Sequence, residues 1–380
     1  MTGSNRSLAG LDERSTPFGS ITDVSGVRIG HHQRIGRGWA SGTTVLACPG
    51  GATPGVDVRG GAPGTRETDA VRPGRLVDTI HAVCLTGGSA YGLAAADGVM
   101  AELASRRLGV PVGVDPDHVV PVVPSAVIFD LGRGGRFESR PDASFGRRAA
   151  QRALGGRAAP AWGAVGAGTG ARAGGIQGGV GTASTVVDLA AMPTAPGAPS
   201  PTGRVEVGAG VVVNSLGSVI DPSTGLPWEP SGARLRRPSR DEFNAFRTAI
   251  APPAGADADS EDGAATTTDG PSLNTTIGVV AVSAPLDSAA TGRVASVAHD
   301  GLARAIRPAH GMADGDSIFA IATGTTDVPD DPLLARRALD LILTAAADTF
   351  AAACTHAVVS ARSVGPTPAW SDLCPSAIRD

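Results

Sequence analysis

Lysine is missing from this chain: all 32 basic residues are arginine. That absence excludes a Schiff-base lysine, a serine–lysine dyad, a phosphate-loop lysine and a kinase-type lysine together. Arginine is too firmly protonated to act as a base in their place. Aromatic residues are scarce at 3 %. With few rings to stack on bases, no basic tail and no arginine run, a nucleic-acid partner is not expected. Cys48, Cys84, Cys354 and Cys374 form no CxxC pair and no zinc-ligand spacing, so buried free thiols are expected and a metal site is not. The segment from Met1 to Pro17 has no apolar signal core, and no uninterrupted apolar run reaches membrane-spanning length. The expectation is a cytoplasmic protein without a membrane partner.

What is present describes a core-forming chain. Its 380 residues are 42 % hydrophobic with a formal net charge of −4, enough for two or three domains or one large α/β unit. Glycine (53) and proline (29) are abundant, yet together stay under the roughly 25–30 % that marks low complexity. Many tight turns follow.

Along the chain, residues 1–20 read as a disordered tail. Ile21–His31 is expected as a strand with a turn at Ser25-Gly26, and Thr43–Ala47 as a second strand. Asp57–Asp69 is a polar, glycine-rich loop that faces either solvent or a cleft. His81–Leu85 reads as a strand running into Gly87-Gly88-Ser89-Ala90-Tyr91-Gly92, with a helix from about Tyr91 to Leu108. Tyr91 stands where a nucleophile elbow needs glycine, so Ser89 is a poor nucleophile. Val119–Phe129 is expected as a strand and Gly146–Leu154 as a helix. Gly166-Ala167-Gly168-Thr169-Gly170-Ala171 matches a dinucleotide fingerprint on paper, but the glycines that follow forbid the helix it requires. Val205–Ser215 reads as a strand and Asp241–Ile250 as a short helix.

Composition then changes. Residues 251–272 hold no large apolar side chain and read as a flexible linker, which ends just before Leu273-Asn274-Thr275-Thr276-Ile277. Cutting the Asn274–Thr275 bond would give Thr275 a free α-amine beside its hydroxyl, a nucleophile and a base in one residue. Uncut, Thr275 is a β-branched residue opening a strand. Beyond it, strand Ile277–Val282, helix Leu286–Ile306, strand Ser317–Thr323 and a long helical region from Pro332 to about Ser363 alternate, as expected for sheets covered by helices.

Seven segments in order resemble the DmpA-type P1 peptidase family of L-aminopeptidase/D-esterases, β-peptidyl aminopeptidases and nylon-oligomer hydrolases. They are Ile21-Thr22-Asp23-Val24 with Gly26-Val27, Asp57–Thr65, Gly87–Leu93, Gly166–Gly170, Val212-Val213-Asn214-Ser215, Asn274–Ile277 and Asp314–Phe319. The resemblance implies an αββα sandwich of two packed sheets covered by helices. It implies self-cleavage at Asn274–Thr275, so that 21–250 and 275–380 form two parts of one catalytic domain joined through 251–274. It further implies amide hydrolysis without a cofactor, a small peptide or amide as substrate, and a homo-oligomer of tetramer size or larger. By the same resemblance Thr275 is the nucleophile, Asn214 the oxyanion-side amide, and Asp314 and Asp316 an acidic pair orienting the hydroxyl or an ammonium group. Gly87, Gly88, Tyr91, Phe129 and Gln177 fall among the substrate-binding positions.

Two departures concern the substrate more than the reaction. Phe129 stands where nylon hydrolases have tyrosine, and the lysine expected near the GxGTG segment is absent, Gly175 or Gln177 being nearest. An acyl transferase resembling ornithine acetyltransferase and an uncut, non-enzymatic scaffold remain open at this point.

Overall fold

The computed structural model describes residues 18–156, 160–192, 202–230, 234–251 and 273–378. Residues 1–17 of the tail expected over 1–20, the Pro-rich stretch 193–201 and nearly all of the linker lie outside them; Phe18 and Ser20 instead belong to the fold, Phe18 buried in the apolar core and Ser20 capping the turn that follows.

In chain order the elements are β1 (Arg28–Gly36), β2 (Trp39–Val58), β3 (Thr65–Arg66), β4 (Ile80–Thr86), α1 (Ser89–Gly92) and α2 (Ala95–Ser105). Then come β5 (Val110–Pro111), β6 (Val119–Val120), β7 (Ser125–Val127), α3 (Ala143–Gly155), β8 (Arg172–Ala173) and β9 (Ile176–Gln177). The remainder are β10 (Gly179–Asp188), β11 (Arg204–Asn214), α4 (Arg240–Ile250), β12 (Thr275–Val282), α5 (Ser288–Ala305), β13 (Ser317–Ala322), α6 (Pro332–Val359) and α7 (Trp370–Leu373).

Strand order runs β10-β11-β12-β13-β2-β4-β7-β3, with β1 also on β2. The 20-residue β2 links two halves. Its early part pairs with β1 and β4, its late part, Thr53–Val58, pairs with β13, and a register irregularity between Ala47 and Ala52 bends it. Alternation at period two then sorts side chains into three apolar layers. Val280 and Val282 of β12 join Val294, Leu302, Ile342 and Phe350 under α5 and α6. Ile277, Val279 and Ala281 of the same strand meet Leu46, Val83, Leu85 and Phe319 between the sheets. Val45, Ala47, Ala82 and Cys84 face Val99, Leu103 and Ala149 of α2 and α3. The stacking is helix, sheet, sheet, helix, as the resemblance implied.

Several local expectations are corrected. Ile21–Asp23 is a 3-10 turn, because Ser20 and Asp23 form a capping box that closes it; the strand starts only at Arg28. The Val119–Phe129 strand is broken by Pro121 and Pro124, which lack the N–H a ladder needs. The Tyr91–Leu108 helix is split, since Leu93 and Ala94 make tighter i−3 bonds to Ala90 and Tyr91 between α1 and α2. The glycine tract yields a further strand, β10. All four cysteines are buried and free.

α6, the longest helix, starts at Pro332 with Asp331 accepting N–H bonds from Leu333 and Leu334, each 3.0 Å. Among the described residues it alone is long and apolar enough to cross a membrane by length and composition, and 67 % of that stretch is buried inside the fold. It approaches β10 closely because Gly181 has no side chain; a Cβ there would strike the Ala353 carbonyl and the Ala357 backbone. Gly181→Ala is expected to cost about 1–3 kcal/mol by forcing helix and sheet apart. Gly292→Ala, in α5 with open space around it, is expected to add about 0.5–1 kcal/mol. Urea unfolding checks both: the midpoints should move in opposite directions.

Candidate active site

One end of the sheet collects the polar residues singled out from the sequence. β12 and β13 run parallel, and β11 runs antiparallel along the other edge of β12. The first residue of β12, Thr275, therefore lies opposite the last residue of β11, Asn214. One step before the strand, Asn274 forms a parallel bridge with Asp314, which precedes β13. Asn214, Asn274, Thr275, Asp314 and Asp316 are all buried.

The bond between Asn274 and Thr275 sits among donors. The Thr275 hydroxyl donates to the Asn274 carbonyl oxygen, and the same oxygen accepts the Gly315 N–H at 3.0 Å. Residue 315 must be small here, since a Cβ would stand 2.8 Å from Thr275 Oγ1 and 2.7 Å from the Ala62 carbonyl. Asn274 itself donates its N–H to the Ala313 carbonyl at 3.0 Å.

The polar loop after β2 is packed against this segment. Arg59 and Gly60 donate to the Asp316 carbonyl at 3.0 and 3.2 Å, and Ala62 to the Asp314 carbonyl at 2.8 Å. The loop therefore braces the acidic pair and does not lie free in solvent.

The two carboxylates have different surroundings. Asp316 accepts the Thr276 N–H at 2.7 Å on one oxygen. Its other oxygen takes the His310 backbone N–H at 3.1 Å and ring Nδ1–H at 2.8 Å. It thus accepts from the amide after Thr275 and from His310, not from the Thr275 hydroxyl. Asp314 accepts the Gly311 N–H at 2.9 Å, while its Oδ1 is buried with no hydrogen-bond partner. Burial, and then the Asp316 charge, push the Asp314 pKa above the ordinary carboxylate value. His299 packs edge-on against His310 with ring centroids 4.9 Å apart, and burial lowers its pKa to about 4.

Asn214 is locked from both sides. Its side-chain oxygen accepts Arg133 Nη1 at 2.9 Å and the Arg172 backbone N–H at 3.0 Å; its amide nitrogen donates to the Phe129 carbonyl at 3.3 Å. Arg133 also donates through Nη2 to the Leu273 carbonyl at 2.8 Å and to Asn274 Oδ1 at 3.3 Å. Its guanidinium carbon lies 5.3 Å from the centre of the Phe129 ring. Burial, with the Arg172 charge second, lowers the Arg133 pKa to about 10.

Phe129 thus touches the cluster through its carbonyl and ring. Gly87 and Gly88 lie one layer behind it. Gly88, at φ 90°, donates to Asp130 Oδ1 at 2.7 Å, and a Cβ on Gly87 would strike the Asp130 carboxylate. Burial raises the Asp130 pKa to about 6. Tyr91 is 55 % exposed and lies under Arg140, whose guanidinium carbon is 3.6 Å from the ring centre. Gln177 is buried, and its amide nitrogen is engaged by neighbouring backbone carbonyls, the shortest bond being to Ala171 at 2.9 Å. Its side chain braces the glycine tract behind Asn214.

Sequence reasoning missed Arg133, His310 and Gly315. Arg133 sits in a glycine-flanked stretch that reads as surface, and His310 lies six residues before Asp316 with no motif linking them. The cysteines are inert: burial lifts the thiols of Cys48 and Cys84 to about 12. Among the described residues no group of three or more His, Cys, Asp or Glu is arranged to hold a metal ion.

Comparison with known proteins gives this geometry a family. The model of peptidase family S58 matches residues 19–368. An uncharacterized aminopeptidase of Mycobacterium leprae is 45 % identical over 96 % of each chain. A 6-aminohexanoate-oligomer endohydrolase of a Kocuria species is 30 % identical over 85 % of this chain and 80 % of that one. Among solved structures, the L-aminopeptidase D-Ala-esterase/amidase of Ochrobactrum anthropi, described as a variant of the Ntn-hydrolase fold, superposes with a TM-score of 0.64. It shares 22 % identity over 95 % of this chain and 90 % of that one. The chain belongs to peptidase family S58 and is an aminopeptidase-type hydrolase of amide or peptide bonds.

Proposed function

We propose that the protein cuts its own Asn274–Thr275 bond and then hydrolyses short peptides or amides with a free amino end, using Thr275 as nucleophile. One observation carries the reading: the Thr275 hydroxyl lies on the Asn274 carbonyl, which also receives the Gly315 N–H. In maturation Oγ1 attacks the Asn274 carbonyl carbon, the C–N bond breaks, and the hydroxyl proton ends on the departing nitrogen. Water then hydrolyses the resulting ester, leaving an Asn274 carboxylate and a free Thr275 amine.

That amine, with an ordinary pKa of roughly 7.7–8.0, is the base for later turnovers. It takes the hydroxyl proton as Oγ1 attacks the substrate carbonyl and returns it to the leaving amine; water then releases the acyl group. Gly315 N–H and the Asn214 amide serve the developing oxyanion. Such a donor contributes roughly 2.7–4 kcal/mol, so Asn214→Ala is expected to lower kcat about 10²–10³-fold.

Asp314 fits the free amino end. Asn274 and Asp314 are bridge partners, so a substrate ammonium that takes the place of the Asn274 N–H falls on the strand position next to Asp314, whose Oδ1 has no hydrogen-bond partner. Recognition needs the ionised carboxylate, so KM should rise as pH falls through its raised pKa, and Asp314→Asn should remove that limb. The same substitution should stabilise the fold. A carboxyl that holds its proton more tightly folded than unfolded loses stability as pH climbs through that window. Asp314→Asn is therefore expected to raise Tm at neutral pH, the gain vanishing below the ordinary value of 3.8.

N-terminal sequencing and intact-mass measurement test the central step. Active material should contain a chain beginning at Thr275, and Thr275→Ala should remain one uncut, inactive chain. Gly315→Ala should slow cutting as well, because the new methyl takes the space of the hydroxyl. Active protein without a chain starting at Thr275 would overturn the reading.

A further inference from the structure

The groups that hold Asn274 in the uncut chain have a second use. If Thr275 performs both self-cleavage and substrate hydrolysis, both scissile carbonyls must occupy one place, between Thr275 Oγ1 and the Gly315 N–H. The residue that carries the carbonyl then also occupies one place: Asn274 before cutting, the substrate's amino-terminal residue afterwards. We infer that the Asn274 cradle is the acyl subsite of the processed enzyme and that Arg133 selects amino-terminal residues bearing a carboxylate or carboxamide side chain, with Asp- and Asn-type amides as the substrate class. The inference rests on the reading of Thr275 given above.

The geometry for this selection comes from residues outside the reacting set. Arg133 Nη1 is tied to Asn214 Oδ1 at 2.9 Å and the guanidinium faces the Phe129 ring, so its direction is fixed. Nη2 reaches Asn274 Oδ1 at 3.3 Å, an acceptor at the end of a short side chain, and the Leu273 carbonyl at 2.8 Å. A substrate that begins with a free amine has nothing in place of Leu273. Nη2, shared between two acceptors in the uncut chain, then has one fewer to serve. A guanidinium held this way suits a planar oxygen acceptor.

Charge points the same way. Arg172 stands near Arg133, and the neighbouring acid, Asp130, is buried and accepts the Gly88 N–H. A carboxylate side chain gains from both guanidinium groups, whereas a cationic one is repelled. An aliphatic side chain offers Nη2 no oxygen in place of Asn274 Oδ1, which is the kind of mismatch that discriminates between substrates.

The test uses purified enzyme already shown to contain a chain beginning at Thr275. Its kcat/KM is measured on the 4-nitroanilides of Asp, Asn, Ala, Leu and Arg. The expected order places Asp and Asn at least about tenfold above Ala and Leu, with Arg lowest. In Arg133→Met the Asp-to-Leu ratio should fall to near one or invert, and Arg133→Lys should keep part of the preference for Asp but lose that for Asn. A change of overall rate alone, with the ratio preserved, would mean that Arg133 only positions Asn214 and would overturn the inference. So would a wild-type ratio near one, which needs no variant and decides the matter even if Arg133→Met stays uncut. In either case turnover of the Ala anilide by Thr275-started enzyme would leave the hydrolase reading standing. If Thr275-started enzyme turns over none of the anilides, both fail together.

Discussion

The register between β11 and β12 is the constraint on which the rest depends. Pairing Val207 with Val282 at one end fixes Asn214 opposite Thr275 at the other. A one-residue slip would exchange the faces of β12. Val280 and Val282, which pack under α5 and α6, would trade places with Ile277, Val279 and Ala281, which pack between the sheets. Because both faces are buried in different apolar layers, the slip is opposed twice. The position of one hydroxyl is therefore secured by side chains far from it, and the same strand pairing sets an amide of β11 opposite it.

Parallel pairing of β12 with β13 supplies the other half. Ile277 opposite Ser317 places the residues just before each strand side by side, so the Asp314-Gly315-Asp316 turn meets Asn274-Thr275-Thr276. The contacts across that seam alternate in kind: a backbone donor from Gly315 on a carbonyl, then a carboxylate of Asp316 on the Thr276 amide. His310 donates to the Asp316 carboxylate, and the loop after β2 donates to the Asp314 and Asp316 carbonyls. A buried turn with two acidic residues is costly unless its charges are hydrogen-bonded, and here one carboxylate is fully engaged and the other is left strained toward its neutral form. The difference between the two is what the proposed role of Asp314 draws on.

How much of this was legible in the sequence follows from the range over which each signal acts. Apolar runs and the abrupt composition change before Leu273 are local, and they located β12, β13, α5 and α6 with small boundary shifts. Asn214, Thr275, Asp314 and Asp316 sit in motifs, and the structure brings all four together. Ile21–Asp23 misled because an apolar residue beside Thr and Val suggests a strand, while Ser20 and Asp23 closed a turn through side-chain bonds that alternation does not register. Arg133 was invisible for a different reason. Its partners Asn214 and Leu273 are 81 and 140 residues away, and a glycine-flanked arginine carries no pattern that distinguishes a solvated side chain from one aimed into a site. Gln177 shows the converse: proximity to a motif suggested substrate contact, and the carbonyls around its amide nitrogen give it a bracing place.

The absence of lysine bears finally on where a proton can go. The arginines do not release theirs at neutral pH. Buried thiols such as Cys48 hold theirs up to about 12, and the His310 ring is bound to Asp316. In the proposed chemistry the Thr275 nitrogen fills the gap, but only after the chain is cut; before that it is an amide with no useful basicity. The first reaction must therefore proceed with the carbonyl polarised by Gly315 and without the base that serves all later ones. On that proposal maturation is expected to be slower than turnover, and a single event per chain tolerates a slowness that repeated catalysis would not. In that scheme the base of the later turnovers is a product of the first reaction, and the register of β11 on β12 holds Thr275 in one place for both.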